Sequence, residues 1–488
     1  MEEKNIKLMG QVYTPKNIVD LMLDFLGYNS EVILGKHIID NSAGDGAFLK
    51  EVVARYIRVF EKAYGKNKNL LKQHLERFIH GIEISKDEHK KCIENLNKIV
   101  AEHDIYNVNW DIINADAFDL HQFDGKMDFV VGNPPYVRIH NMYKNGNIEK
   151  IKKFSFFSGG MADLYIIFFE IGFKMLNEKG KLCYITPNTF QNSIYGKALR
   201  EYIENTGYLV AIIDMLHNSV FDNISTYTVI TVFDKSNPTF NLDYYQMEYE
   251  KPVFVSRLKY DEVFVGGKLF LGRNEDLETI RRLYSVEGYF PKNFSVKNGF
   301  ATLSDSIFVK EYFNFKSDNF LIDVYKASTG EWLKCIYPYD EKGNPVSIEE
   351  IKQKNPDLFY YLLENREKLE NRDYEQKWYL FGRSQAIGDT YKYKVAINTL
   401  VKDLNSLRIQ EVPTGKGVLS GLYIVGLSLQ RVTELLVNED FLNYVKMLRK
   451  YKRNNYYTFS SRDLDLWISY FIARDYKKLR KNGLWSFE

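Results

Sequence analysis

The chain has 488 residues, too many for one compact hydrophobic core, so two domains are expected. A composition of 45% hydrophobic and 27% charged residues with a formal net charge of +2 excludes a disordered or fibrous chain. No apolar run approaches the roughly 18 to 20 residues of a membrane-spanning helix, and MEEKNIKLMG at the start lacks a signal-peptide hydrophobic region. Cys92, Cys183 and Cys335 are scattered, as are the histidines, which suggests a reducing cytosol and no metal site.

Up to about residue 240 the sequence alternates short β runs with amphipathic helices. KHIID reads as a strand and GAFLKEVVARYIRVFEKAY, from Gly46, as a helix. FIHGIEI is a second strand, followed by a helix with Ser85 at its cap and Glu88 three residues on, a capping-box pattern. NWDIINADA and MDFVVGN are the third and fourth strands. MADLYIIFFEIGFKMLNEKG is a helix expected to end at Gly180, and KLCYITP, VAIIDML and YTVITVF complete the set. This order predicts a doubly wound α/β fold with a mostly parallel sheet of seven strands. Ligands of such sheets bind beyond the carboxyl ends of the strands, where DNSAGDG and GNPPY both fall.

KSNPTFNLDYYQ reads as a linker or a domain edge, and beyond it short strands, polar loops and late helices make a mixed α+β region. The predicted domains are 1–245 and 246–488. Arg138 to Gly160 is a long polar insert of the kind that is often functional.

Two segments carry the chemistry. In DNSAGDG, Gly44 and Gly46 permit a tight turn and a close backbone approach to a ligand. Glu83 and Asp116 end the next two strands, where carboxylates can accept ribose hydroxyls and an adenine amino hydrogen. No Walker lysine and no complete G-x-G-x-x-G are present, so an adenosyl group without phosphates fits better than a nucleotide. In GNPPY, Pro134 and Pro135 remove two backbone donors and fix two φ angles between Asn133 and Tyr136, making a stiff, polar, flat-walled pocket.

GQVYTPKNIVDLM, DNSAGDGAFL, GIEI, NADAF, GNPPYVR, DLYIIFFE, GKLCYITPNTF and VFDNISTYTVITVF occur in an order that resembles gamma-class DNA adenine-N6 methyltransferases of type II restriction–modification systems. The resemblance covers Gly10 to Phe233 closely and continues more loosely through SGLYIVG and YYTFSSRDLDLWI. It implies a Rossmann-like catalytic domain using S-adenosylmethionine, then a DNA target-recognition domain, in a monomeric, metal-free, cytoplasmic enzyme of a prokaryote or phage. Carried over residue by residue, Tyr13 and Thr14 touch the methionine end of the cofactor. Asp40, Ala43, Gly44 and Gly46 form its loop, Glu83 takes the ribose, Asp116 reads the adenine and Asp163 flanks the cofactor. Asn41 stands where many members have proline.

Asn133 and the Pro134 carbonyl become acceptors for the target amine, Pro135 stiffens the turn, and Tyr136 and Phe221 form two stacking walls for a flipped adenine in duplex DNA. Similar motifs occur in protein-glutamine and RNA methyltransferases. Those generally lack the YTP block and the long C-terminal region. Cytosine-N4 enzymes more often open the motif with Ser, and an inactive DNA-binding protein would have no use for an intact NPPY. No separate nuclease segment is read before Gly10. For DNA contacts the sequence offers Arg383 and Gln385, suited to bidentate base reading, and the basic aromatic tail with Lys450, Lys452, Arg453, Tyr456 and Tyr457. Any one of these is more often simply solvated.

Overall fold

The computed structural model describes residues 14–139, 148–159, 162–217, 227–285, 292–373 and 377–481. It divides into two compact units, Met1–Glu278 and Thr279–Glu488.

The first unit runs α1 (Lys16–Leu26), β1 (Ile38–Asp40), α2 (Ala47–Tyr64), α3 (Lys68–Phe78), β2 (Ile79–Glu83), α4 (Lys86–Ala101), β3 (Asp111–Asn114) and β4 (Met127–Gly132). It continues with α5 (Ile148–Ile151), α6 (Tyr165–Met175), β5 (Leu176–Pro187), α7 (Lys197–Thr206), β6 (Leu209–Asp214), β7 (Thr228–Asp234), β8 (Asn241–Glu248) and β9 (Lys251–Lys259). Among the described residues its sheet has nine strands, not the expected seven, in the order β3-β2-β1-β4-β5-β7-β6-β8-β9. β1 pairs in parallel with both β2 and β4, so the chain reverses its direction of travel across the sheet there. A ligand crevice belongs at that switch. β7 is antiparallel to both β5 and β6.

All residues of β1 and β2 are buried, as expected for strands covered by helices on both faces. On one face α1, α2 and α4 bury Met22, Leu23, Leu49, Val52, Val53 and Leu96 against Ile38, Val131 and Ile185. On the other, every residue of α6 but Lys174 is buried, which explains why its sequence is apolar all round.

Three local expectations change. α6 stops at Met175, and Gly180 lies inside β5, not at a helix cap. Leu176 is already paired with Met127, so the chain passes from helix to strand without a loop. The capping box at Ser85 is half made. Ser85 Oγ accepts the Glu88 N–H, but the Ser85 N–H goes to Glu83 Oε1. KSNPTFNLDYYQ is not a linker, because Asn241–Glu248 pairs in parallel with β6. Residue 245, the expected border, therefore falls within a strand of the first unit.

The second unit is mixed α+β. One antiparallel sheet takes Ser295–Asn298, Leu422–Val425, Lys394–Ile397 and Ile409–Val412, and another takes Val309–Lys310, Glu331–Ile336, Leu321–Lys326 and Gly417–Leu419. In the second sheet Gly417–Leu419 runs parallel to its neighbour. One segment, Gly417–Val425, thus serves both sheets in succession. Leu400–Val401, Tyr456–Thr458 and Tyr451–Lys452 form a third sheet. Among the described residues no helix is long and apolar enough to cross a membrane, and no cluster of His, Cys, Asp or Glu is suited to a metal.

Candidate active site

β1 delivers Asp40 to the switch point, and the loop to α2 folds back over the end of β2. Ala43 N–H donates to Ile82 O at 2.9 Å, and Gly44 N–H to Glu83 Oε2 at 2.8 Å. Ser85 N–H donates to the other oxygen of Glu83 at 2.7 Å, so two backbone donors fix this carboxylate. Gly46 caps α2 at φ 87°, and a Cβ there would stand 2.8 Å from Cys92 Sγ. The position therefore requires glycine on two counts. Asn41 does not loosen the turn: its buried amide accepts the Tyr184 hydroxyl at 2.9 Å.

Asp40 is 1% exposed. Its Oδ1 accepts the Ser42 N–H at 3.0 Å, while Oδ2 is buried with no hydrogen-bond partner. Burial, helped by the nearby Glu83 charge, pushes this carboxyl up to about 7. Burial also raises Glu83, Asp116 and Asp163 above the usual carboxylate range. Asp116 Oδ1 accepts the Phe118 N–H at 3.1 Å, and Lys150 Nζ lies 3.9 Å from Oδ2.

β4 brings in the second segment. Gly132 passes so close to β1 that a Cβ would lie 2.8 Å from Asp40 Oδ1. Asn133 O accepts the Ser42 hydroxyl at 3.4 Å, and Asn133 Nδ2 donates to Thr14 Oγ1 at 3.2 Å. This turns the Oδ1 edge of the amide away from Thr14, which is itself buried. Pro134 is buried, and Pro135 and Tyr136 are half-buried. The Tyr136 hydroxyl donates to Ile185 O at 3.0 Å, and burial pushes it well above its usual pKa. The hydroxyl end is thus anchored in the core while the ring is partly open. Tyr165 meets that ring edge-to-face at 6.4 Å.

Arg138 and Asp163 form an antiparallel bridge, with Leu164 N–H on Val137 O at 2.8 Å. This pairing draws the start of α6 to the NPPY turn. Asp40 and Glu83 end β1 and β2, and Ala43, Gly44, Gly46, Asp116, Asn133 to Tyr136 and Asp163 lie on the loops beyond the carboxyl ends of the strands, with Thr14 bonded to Asn133. Tyr13 and Phe221 lie outside the described residues. Sequence reading missed Ser42, which joins the two loops, and Lys150. Neither carries a local signal, because both act on residues distant in sequence.

In the second unit the contact candidates have different surroundings. Lys450 forms an ion pair with the buried carboxylate of Asp463. Arg383 lies 3.0 Å from Asp373, and Gln385 Nε2 donates to Gly299 O at 2.6 Å. Lys452 and Arg453 are exposed, whereas Tyr456 and Tyr457 are half-buried. Asn454 and Asn455 both take positive φ, 59° and 61°, making the tight turn of a hairpin with Arg453 at its tip.

The first unit is thus a doubly wound α/β fold with two loops meeting at its switch point, and the second is a mixed α+β unit. Residues 18–221 match the Eco57I restriction-modification methylase family. The type II methyltransferase M.BstVI of Geobacillus stearothermophilus is 28% identical over 424 residues, 77% of this chain and 74% of that protein. The type II restriction enzyme and methyltransferase RM.Eco57I of Escherichia coli is 26% identical over 344 residues, 59% of this chain but 33% of its own length. The type IIL restriction-modification enzyme MmeI, solved with DNA, has the same fold over 91% of this chain and 63% of its own, with a TM-score of 0.63 and 15% identity. The chain resembles type II restriction–modification methyltransferases, as its ordered motifs implied.

Proposed function

We propose that this protein is a site-specific DNA methyltransferase that moves a methyl group from S-adenosylmethionine to the N6 amine of a flipped-out adenine in duplex DNA. It is the modification enzyme of a restriction–modification system. The observation that carries this reading is the joining of two loops through Ser42: the acidic cofactor loop and the Asn133–Tyr136 turn meet at one edge of the sheet.

The residues fit the cofactor. Asp40 Oδ2, buried and without a hydrogen-bond partner, suits the cationic methionine end, to which the family resemblance also assigns Tyr13 and Thr14. Glu83 takes the ribose hydroxyls and Asp116 the adenine amine. Ala43, Gly44 and Gly46 supply the close backbone, and Asp163 flanks the site. An acidic surround disfavours a phosphate tail and suits a cation. When bound, the cofactor supplies an electrophilic methyl group on a sulfonium.

The amine of adenine is a weak nucleophile because its lone pair is delocalised into the ring. Asn133 Oδ1 and the Pro134 carbonyl accept its two hydrogens and localise that lone pair, Pro135 holds the two acceptors in place, and the proton leaves to water afterwards. The base stacks on Tyr136, with Phe221 as the second wall. Such an adenine must leave the helix to enter the slot. The second unit grips duplex DNA through Arg453 and Lys452 on the hairpin and through the Arg383–Gln385 loop. Lys450, Tyr456 and Tyr457 support the hairpin.

The test is methylation of duplex DNA with labelled S-adenosylmethionine, digestion to nucleosides and mass analysis, with long-read sequencing to find the motif. N6-methyladenine at one sequence is the expected product. N4-methylcytosine, or label only in RNA or protein, refutes the reading.

A further inference from the structure

We propose that Lys150 is a positioning residue for the adenine end of the cofactor, holding the Asp116 carboxylate in place as an acceptor for the exocyclic amine. This rests on the assignment of Asp116 made above. Asp116 Oδ1 is engaged by the Phe118 N–H, so Oδ2 is the oxygen left to meet a ligand. The Lys150 ammonium stands 3.9 Å from that Oδ2, while its own hydrogen bond goes to Asp119 Oδ2 at 2.5 Å. It therefore places a positive charge beside Asp116 without filling the lone pairs that the amine needs. Without it, Asp116 and Asp119 would put two carboxylates in one short turn with no cation between them. A protonated carboxyl accepts from an amine less strongly, and one swung aside does not accept at all.

The placement of Lys150 is built into the fold. The segment after α5 is fastened to α6, where Glu170 Oε2 accepts the Phe156 N–H at 2.8 Å and the Ser155 hydroxyl at 3.0 Å. Glu170 is buried, and its other oxygen accepts Lys174 Nζ at 2.7 Å. The same lysine lies 4.9 Å above the Phe154 ring, which meets Phe118 at 5.5 Å. Phe118 is two residues beyond Asp116. Residues 148–159 are thus docked against the turn that carries the adenine reader, and Lys150 is the charge they deliver there.

The test uses the full chain and two probes, S-adenosylhomocysteine and S-inosylhomocysteine. The second carries a carbonyl where adenine carries its amine. Calorimetry should show wild type binding the adenosyl compound at least about tenfold more tightly, the worth of a hydrogen bond to a charged group. Lys150→Met should weaken the adenosyl compound about three- to tenfold and leave the inosyl compound unchanged, which also shows that the variant is folded. Lys150→Arg keeps the charge and should restore the preference. Unchanged binding of both probes by Lys150→Met overturns the proposal. So does an equal loss for both, because Lys150 would then only prop the wall. If wild type fails to distinguish the probes, the assignment of Asp116 to adenine is wrong, a result separable from failure of Lys150 alone.

Discussion

Replacing Asp40 by Asn should abolish the loss of stability that the first unit undergoes between pH 5 and pH 8, while weakening the cofactor site. Asp40 is 1% exposed, one oxygen lacks a partner, and its carboxyl is raised from 3.8 to about 7. Between those two values the folded protein holds a proton that the unfolded chain releases. Stability therefore falls as pH rises through the window, and the full penalty is present above pH 7. Taking the two pKa values, the penalty grows by about 2–3 kcal/mol between pH 5 and pH 8. Asn keeps an acceptor for the Ser42 N–H and carries no charge. Its buried NH2 costs the same at both pH values and cancels in the comparison. Urea titrations of both proteins at pH 5 and pH 8, with hydrogen exchange across β1 and α2 to identify the transition, should show Asn gaining about 2–3 kcal/mol on wild type over that range. Cofactor affinity should fall, and the proton released when wild type binds near pH 7 should vanish from the buffer dependence of the binding enthalpy. Parallel pH profiles for the two proteins would refute the account of Asp40.

Asn133→Ala should cut turnover by at least ~10²-fold with little change in cofactor affinity, whereas Tyr136→Phe should keep most turnover and lose about 1 kcal/mol of stability with its bond to Ile185. Single-turnover kinetics and melting curves separate the two. Gly46→Ala should destabilise the first unit by about 1–3 kcal/mol, and adding Cys92→Ala should recover only the steric part, since the positive φ remains; denaturation of the double mutant tests this. Lys450→Ala should lower stability by removing a partner of buried Asp463, whereas Arg453→Ala should leave stability alone and weaken DNA binding, with a salt dependence shallower by about one unit.

Much of the first unit was legible because its signals are local. Strands such as Leu209–Asp214 are short apolar runs, and the turn at Gly46 opens an amphipathic helix. Where sequence reading failed, distant pairing had overridden a local sign. Gly180 resembles a helix stop, yet a Cβ there would lie 2.8 Å from Met127 O, so its small size serves the approach of β4. Strand β8 hid behind a turn-rich start, and its alternation of burial breaks at Gln246, which is half-buried where a buried residue is expected. In the candidate site, Glu83 at the end of β2 and Asp116 just beyond β3 stand out as candidates by position, and Asn133 to Tyr136 by composition. The roles of Thr14, Asp40 and Asp163 came only from resemblance. Ser42 and Lys150 were invisible, because nothing in sequence marks a residue whose partner is brought to it by the fold.

The two strands added beyond β6 settle where the sheet stops growing. β9 is the outermost strand, and an outermost strand offers a row of open backbone groups to any passing chain. Val253 and Phe254 on it are exposed, which would make it adhesive. Pro252 removes one donor from that row, and Lys251, Arg257 and Lys259 crowd it with charge, Arg257 being held in place by a two-pronged bond to Asp243 at 2.6 and 2.8 Å. A second molecule adding a strand here would have to bury those charges against its own. The hairpin thus closes the sheet against self-association, and replacing its proline and cations with apolar residues would turn the first unit into a seed for aggregation.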